Sequence, residues 1–150
     1  MSAPYTSGDK WVASFIVGLL FLLISSPFAY TLTNSLSDKV GLTLADQNGC
    51  PNLIGLLVHA IIFLFIFRFM MNRSSPSGDD KPYTSKDKWI VSLAGGLLFL
   101  LISSPFLYEA SNSLTSLVGF NTASPDGCPN TGGLIIHTAL FITIVRILMR

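Results

Sequence analysis

The chain has 150 residues, half of them hydrophobic and only 11% charged, with a net charge of +1. Soluble domains carry roughly 25% charged residues, so this composition argues against a water-soluble globule. The basic residues are mixed with Asp9, Asp79, Asp80 and Asp87 and form no stripe, which argues against nucleic acid as a partner.

The stretch from Gly18 to Phe28, Gly-Leu-Leu-Phe-Leu-Leu-Ile-Ser-Ser-Pro-Phe, returns letter for letter from Gly96 to Phe106. Sliding the chain on itself by 78 positions aligns the two halves without a gap. Tyr5-Thr6-Ser7 meets Tyr83-Thr84-Ser85, and Asp9-Lys10-Trp11 meets Asp87-Lys88-Trp89. Farther on, Gly49-Cys50-Pro51-Asn52 meets Gly127-Cys128-Pro129-Asn130, and His59 meets His137. The fold expected is all-α: a membrane protein of four transmembrane helices, arranged as two tandem-repeated helical hairpins. The hairpins would occupy residues 1–72 and 83–150, with an exposed linker over 73–82 that is rich in Ser, Pro, Gly and Asp.

Each repeat opens on a polar cap, for which Ser7 or Asp9, and Ser85 or Asp87, offer acceptors. Trp11 and Trp89 follow where an indole is favoured, at the boundary of water and lipid. From Trp11 to Tyr30 there is no charge, a stretch of about 30 Å as helix, one bilayer core. It lacks a small-x-small cleavage site and is repeated inside the chain, so it reads as a span rather than a removable signal. Pro27 and Pro105 fall late in the spans, where Ser-Ser-Pro should bend or terminate the helix, with a kink near Ile24 and its equivalent. Ser25 and Ser26, with Ser103 and Ser104, can bond the carbonyls that the prolines free.

After each proline, Leu32, Leu36 and Val40, like Ala110, Leu114 and Val118, keep an i, i+4 spacing. This predicts helix continuing past the membrane or lying along its surface, and stopping at Gly41 and Gly119. A short cysteine-bearing loop follows, then a return helix over Leu53–Met71 and over Gly133–Met149. Arg68 and Arg146 near the ends of these helices should snorkel to the head groups.

His59 and His137 are titratable groups inside the expected spans, and an intramembrane ionisable residue invites a proton-relay reading. No acidic partner accompanies them, so packing is the preferred role. Gly55, His59 and Phe63 share a helix face, as do Gly133, His137 and Phe141. Glycine permits a close helix approach, and histidine one turn on can hydrogen-bond across it. Ser25, Ser26 or a freed carbonyl near them is the expected partner of His59, and the region of Ser103 that of His137. Such bonds average about 0.6 kcal/mol in a membrane, so His59→Leu should weaken the protein only slightly. Cys50 and Cys128 are equivalent and lie on one side; a disulfide in an oxidising compartment and a pair of free thiols are both compatible with their context. Two cysteines without a neighbouring histidine fall short of a metal site. No Ser-His-Asp grouping, phosphate-cradling loop or carboxylate pair can be assembled, so no enzyme activity, catalytic residue, metal or cofactor is expected.

Eight of the nine basic residues, all but Lys39, lie near the termini or between the repeats. By the positive-inside tendency, both termini and residues 73–82 face the cytoplasm, and the two cysteines face the other side. An even number of spans per repeat makes the repeats parallel, unlike inverted-repeat transporters.

The motifs together, Tyr-Thr-Ser-x-Asp-Lys-Trp, the Gly18–Phe28 string with the Tyr that follows, Asn-Ser-Leu, Gly-Cys-Pro-Asn, His and Arg, occur in both repeats. They resemble small virion membrane proteins of large icosahedral double-stranded DNA viruses, most like the phycodnavirus-type viruses of algae. The resemblance implies a structural protein in the internal membrane of the virion, among the minor capsid proteins, that passes through a host endomembrane during assembly. Its partners would be the lipid bilayer and capsid or other minor capsid proteins, with a homo-oligomer also compatible. Since the shell of such viruses assembles on the cytoplasmic face, the residues expected to meet it are Tyr5, Lys10, Lys81, Tyr83, Lys86, Lys88, Arg146 and Arg150. The competing reading is a small transporter or channel with His59 and His137 in its path.

Overall fold

The computed structural model describes residues 6–73 and 83–149, and these form six α-helices joined by turns and loops. The first, α1, runs over Ser7–Ile24, and its counterpart α4 over Ser85–Ile102. Their N-caps are Thr6 and Thr84, one residue ahead of Ser7 and Ser85, while Asp9 and Asp87, the other acceptors expected, do serve at the helix start. Thr6 keeps an extended backbone and its hydroxyl accepts from the Asp9 amide at 3.2 Å, while the Asp9 carboxylate accepts from the Thr6 amide at 2.9 Å. Thr84 and Asp87 repeat this reciprocal box. Ser7 and Ser85 already stand inside the helix, which is why they do not cap it.

Of the two outcomes expected at the proline motif, bending and termination, the structure shows the break: one helix ends and another starts. Ser25 Oγ donates to the Phe21 carbonyl at 2.7 Å and Ser26 Oγ to the Leu23 carbonyl at 2.8 Å, closing α1. Ser26 Oγ also accepts from the Ala29 amide, capping α2, which spans Pro27–Ser37. Pro27 then occupies the first helical turn, where its missing N–H leaves nothing unpaired. Ser104 and Pro105 open α5, Pro105–Ser116, in the same way, and α5 is bent 52° from α4. Gly41 and Gly119 end these segments with φ of 77° and 80°, a left-handed conformation that suits glycine. In the first repeat a 3₁₀ turn, Asp38–Val40, intervenes.

The return helices are α3, Leu53–Arg73, and α6, Thr131–Leu148. α3 thus continues two residues beyond the expected Met71, and α6 starts two before Gly133 and stops one short of Met149. The cause at α6 is Asn130, whose side chain accepts from the Gly133 amide at 2.8 Å and fixes the helix start at Thr131. Three helices, α1, α3 and α6, are long and apolar enough to cross a membrane, and a fourth span results if α4 and α5 are counted as one bent element.

The most extensive helix contacts are α3 with α4 and α1 with α6, followed by the slighter pairs α1 with α3 and α4 with α6. Each return helix therefore packs mainly on the first helix of the other repeat. At mid-bundle the four meet through Phe21, Phe63, Phe99 and Phe141, all completely buried. Their ring centroids are separated by 4.6 Å for Phe21–Phe141 and 5.1 Å for Phe63–Phe99. Pairs of this kind contribute about 0.5–1.5 kcal/mol each beyond the area they bury. In lipid, where burial from water gives no drive, such close contact is what holds helices together.

Candidate functional site

Two equivalent niches form where α1 and α4 end. In the first, His59 is fully enclosed and its Nδ1 lies 2.7 Å from the Ile24 carbonyl. A carbonyl only accepts, so Nδ1 carries the proton. Nε2 lies 2.7 Å from the Thr33 hydroxyl, which donates to it when the ring holds a single proton. The Tyr30 ring stacks on the imidazole with centroids 3.9 Å apart. The second niche places His137 Nδ1 2.7 Å from the Ile102 carbonyl and Nε2 2.9 Å from Ser111 Oγ, under a stacked Tyr108. Pro27 and Pro105 interrupt the amide ladder above Ile24 and Ile102, and each imidazole supplies the donor missing there.

Sequence reasoning anticipated a freed carbonyl as partner. The alternatives it offered, Ser25, Ser26 and Ser103, are instead turned back onto their own helices. It did not anticipate Thr33 and Ser111, or the tyrosine lids. A hydroxyl at the same place in both repeats, despite a change from Thr to Ser, was the available signal.

Gly55 and Gly133 have a different role from the one expected. A Cβ on Gly55 would lie 2.0 Å from the Leu44 carbonyl, and one on Gly133 would lie 2.0 Å from that of Thr122. What approaches is loop backbone, not a neighbouring helix. The loop is held there by two asparagines. Asn34 Oδ1 accepts from the amides of Leu44 and Ala45, at 2.6 and 3.1 Å, and Asn52 Nδ2 donates to Thr43 O at 2.7 Å. Asn112 and Asn130 do the same work in the second repeat. Phe63 and Phe141, one turn beyond the histidines, belong to the aromatic layer already described.

The loops bring Cys50 and Cys128 together as a disulfide, with Cα atoms 5.4 Å apart. Gly49, with φ of 79°, lets the loop settle against Pro27, and Gly127 does so against Pro105. Between the two repeats a cavity of about 10 Å³, lined by Ser25, Tyr30, Ser103 and Tyr108 among others, has room for one water. Among the described residues no group of three or more His, Cys, Asp or Glu could hold a metal.

At the opposite end, Arg146 lies over the Trp11 ring at 5.3 Å and donates to Ser7 Oγ at 3.0 Å. Arg68 lies over Trp89 at 5.3 Å and donates to Ser85 Oγ at 3.2 Å. Both arginines thus clamp one repeat to the other, which ties up much of Arg146. Tyr83 and Lys86 are exposed, while Lys10 and Lys88 are half-buried. Tyr5, Lys81 and Arg150 lie outside the described residues, as do 74–82 of the expected linker, whereas Arg73 closes α3. No protein-family model, curated protein or solved structure matches the chain.

Proposed function

We propose that this protein is a structural anchor in the internal membrane of a virion, tying an outer protein shell to the bilayer through its basic end. The observation that carries the structural reading is the completely buried layer of Phe21, Phe63, Phe99 and Phe141, drawn from all four long helices. A dry aromatic layer across the middle of the bundle is what a rigid anchor requires, and it opposes passage of ions or solutes along the bundle axis. The histidines speak for the same role, since each is engaged at both nitrogens by the break in its own repeat. The disulfide suits a loop end in an oxidising compartment, which agrees with the basic end on the cytoplasmic side.

The shell contact would come from the duplicated basic end, where Tyr83 and Lys86 are exposed. Two modest contacts on one anchor raise the effective affinity without any new surface. Replacing Lys81, Lys86 and Lys88 together with Ser should weaken association with capsid protein while membrane insertion persists. Retention of full association, or a crosslink from capsid to the Gly-Cys-Pro-Asn loops, would refute the proposal. Proton or ion flux through the protein in reconstituted liposomes would favour the transporter instead.

A further inference from the structure

α2 carries an uncovered apolar stripe, Phe28, Leu32 and Leu36, spaced by four and exposed by 76%, 52% and 60%, and Val40 of the 3₁₀ turn continues the spacing. α5 repeats it with Phe106, Ala110 and Leu114, and Val118 follows in the turn after it. The other face of α2 is occupied, since Tyr30 and Thr33 meet His59 and Asn34 holds the loop. Three observations say what covers the stripes.

The first is length. From Trp11 to Ile24 is only about 20 Å of helix, some 10 Å short of a bilayer core of about 30 Å. α4 has the same deficit between Trp89 and Ile102. The second is the bend. With α4 upright, the 12 residues of α5 inclined at 52° rise about 11 Å, which makes up the missing depth. The third is the neighbour. α2 meets α3 at His59, in the second turn of α3, and Leu53 and Ile54 of the first turn are apolar and exposed, as residues of a lipid-facing helix end would be. Within α2 there is no charged residue, Asp38 and Lys39 standing at its far end before Val40, and α5 has only Glu109, one position before Ala110.

We infer that α2 and α5 lie obliquely in the leaflet on the disulfide side, with their stripes against lipid acyl chains. At that depth α2 and α5 stand in for α1 and α4, so four helical segments, α2, α3, α5 and α6, cross the outer part of that leaflet. An amphipathic segment of this kind binds through its buried apolar area. Here the covalent link to a spanning helix holds it in place.

Nitroxide labels at Leu36→Cys and Leu114→Cys, with Cys50–Cys128 kept oxidised and the full chain in phosphatidylcholine bilayers, test this directly. Relaxation by oxygen should exceed relaxation by a water-soluble nickel complex at both sites, as at a reference label on lipid-facing Phe65. A label on loop residue Asn48 should behave oppositely. Nickel accessibility at positions 36 and 114 equal to that at 48 would overturn the inference by placing the stripes in water. Inaccessibility to both reagents would overturn it too, because protein would then be the cover. Both sites are surface positions, so loss of folding does not confuse the reading.

Discussion

His59→Leu removes the imidazole while nearly keeping its volume, and the structure assigns it a larger effect than the single interhelical bond expected from sequence. Two hydrogen bonds disappear, one to the Ile24 carbonyl and one to Thr33. At about 0.6 kcal/mol each in a membrane, they account for about 1.2 kcal/mol. The Ile24 carbonyl is then left buried with no donor, because Pro27 follows it at the helix break, and an orphaned buried acceptor costs about 1–3 kcal/mol. Part of that range is already counted in the lost bond, so a total of about 2 kcal/mol is expected. Thr33→Ser keeps the hydroxyl found at Ser111 in the other niche, and with it both bonds and the satisfied carbonyl, and should lose only about 0.5–1 kcal/mol for the missing methyl. The niches share no hydrogen-bond partner, so His59→Leu with His137→Leu should be additive to within about 0.5 kcal/mol. Reversible unfolding in mixed micelles of increasing SDS fraction measures all four variants. A loss below about 0.5 kcal/mol for His59→Leu, or a Thr33→Ser loss equal to it, would refute the carbonyl-rescue account.

The same assay addresses three other expectations. Gly55→Ala and Gly133→Ala push a Cβ to 2.0 Å from loop carbonyls and should cost well over 2 kcal/mol; Gly41→Ala, with nothing within 4 Å, should cost only the 1–2 kcal/mol or so of a left-handed alanine. Reduction, or Cys50→Ser with Cys128→Ser, releases a crosslink spanning 78 positions and should destabilise by about 2–4 kcal/mol. The proposed topology is checked in sealed vesicles oriented with the cytoplasmic face out, where an impermeant thiol reagent added after reduction should fail to reach Cys50; labelling there would reverse the proposed orientation. Gly95→Val should clash with Phe67, whose ring atoms lie 2.9 Å from a Cβ at that position, and adding Phe67→Val should restore stability.

The long apolar runs, the proline breaks and the glycine stops were legible because each depends on local chemistry. A run of apolar residues, a proline or a positive-φ glycine acts within a turn or two of itself. The partners of His59 were half legible, since a proline frees a carbonyl wherever it sits, but Thr33 reaches the ring only because α2 turns away from α1. That turn is a tertiary fact. The task of Gly55 was misread for a related reason: glycine advertises a close approach without naming what approaches, and here it is a loop folded back by Asn34 and Asn52. Pairing of helices was least legible. Both the intra-repeat and inter-repeat pairings satisfy the same hydropathy pattern, and only the fit of side chains separates them.

That fit leaves a trace in how the repeats differ. Phe67 of α3 packs over Gly95 of α4, and the equivalent positions across the other helix pair are Val145 and Val17. A large and a small residue on one side stand where two medium ones stand on the other. Phe120 likewise sits against Gly132, with Leu42 and Ile54 at the equivalent places. In both cases the space between two backbones is filled, and only its division between the two side chains has changed, as close packing demands. The first exchange runs between repeats, Phe67 in one and Gly95 in the other, so the volume of a return helix is matched to the first helix of the opposite repeat. Had each repeat packed on itself, Phe67 would have needed its small partner at position 17, where valine stands. The substitutions that distinguish the two copies therefore carry the pairing of α3 with α4, which their identities alone do not reveal.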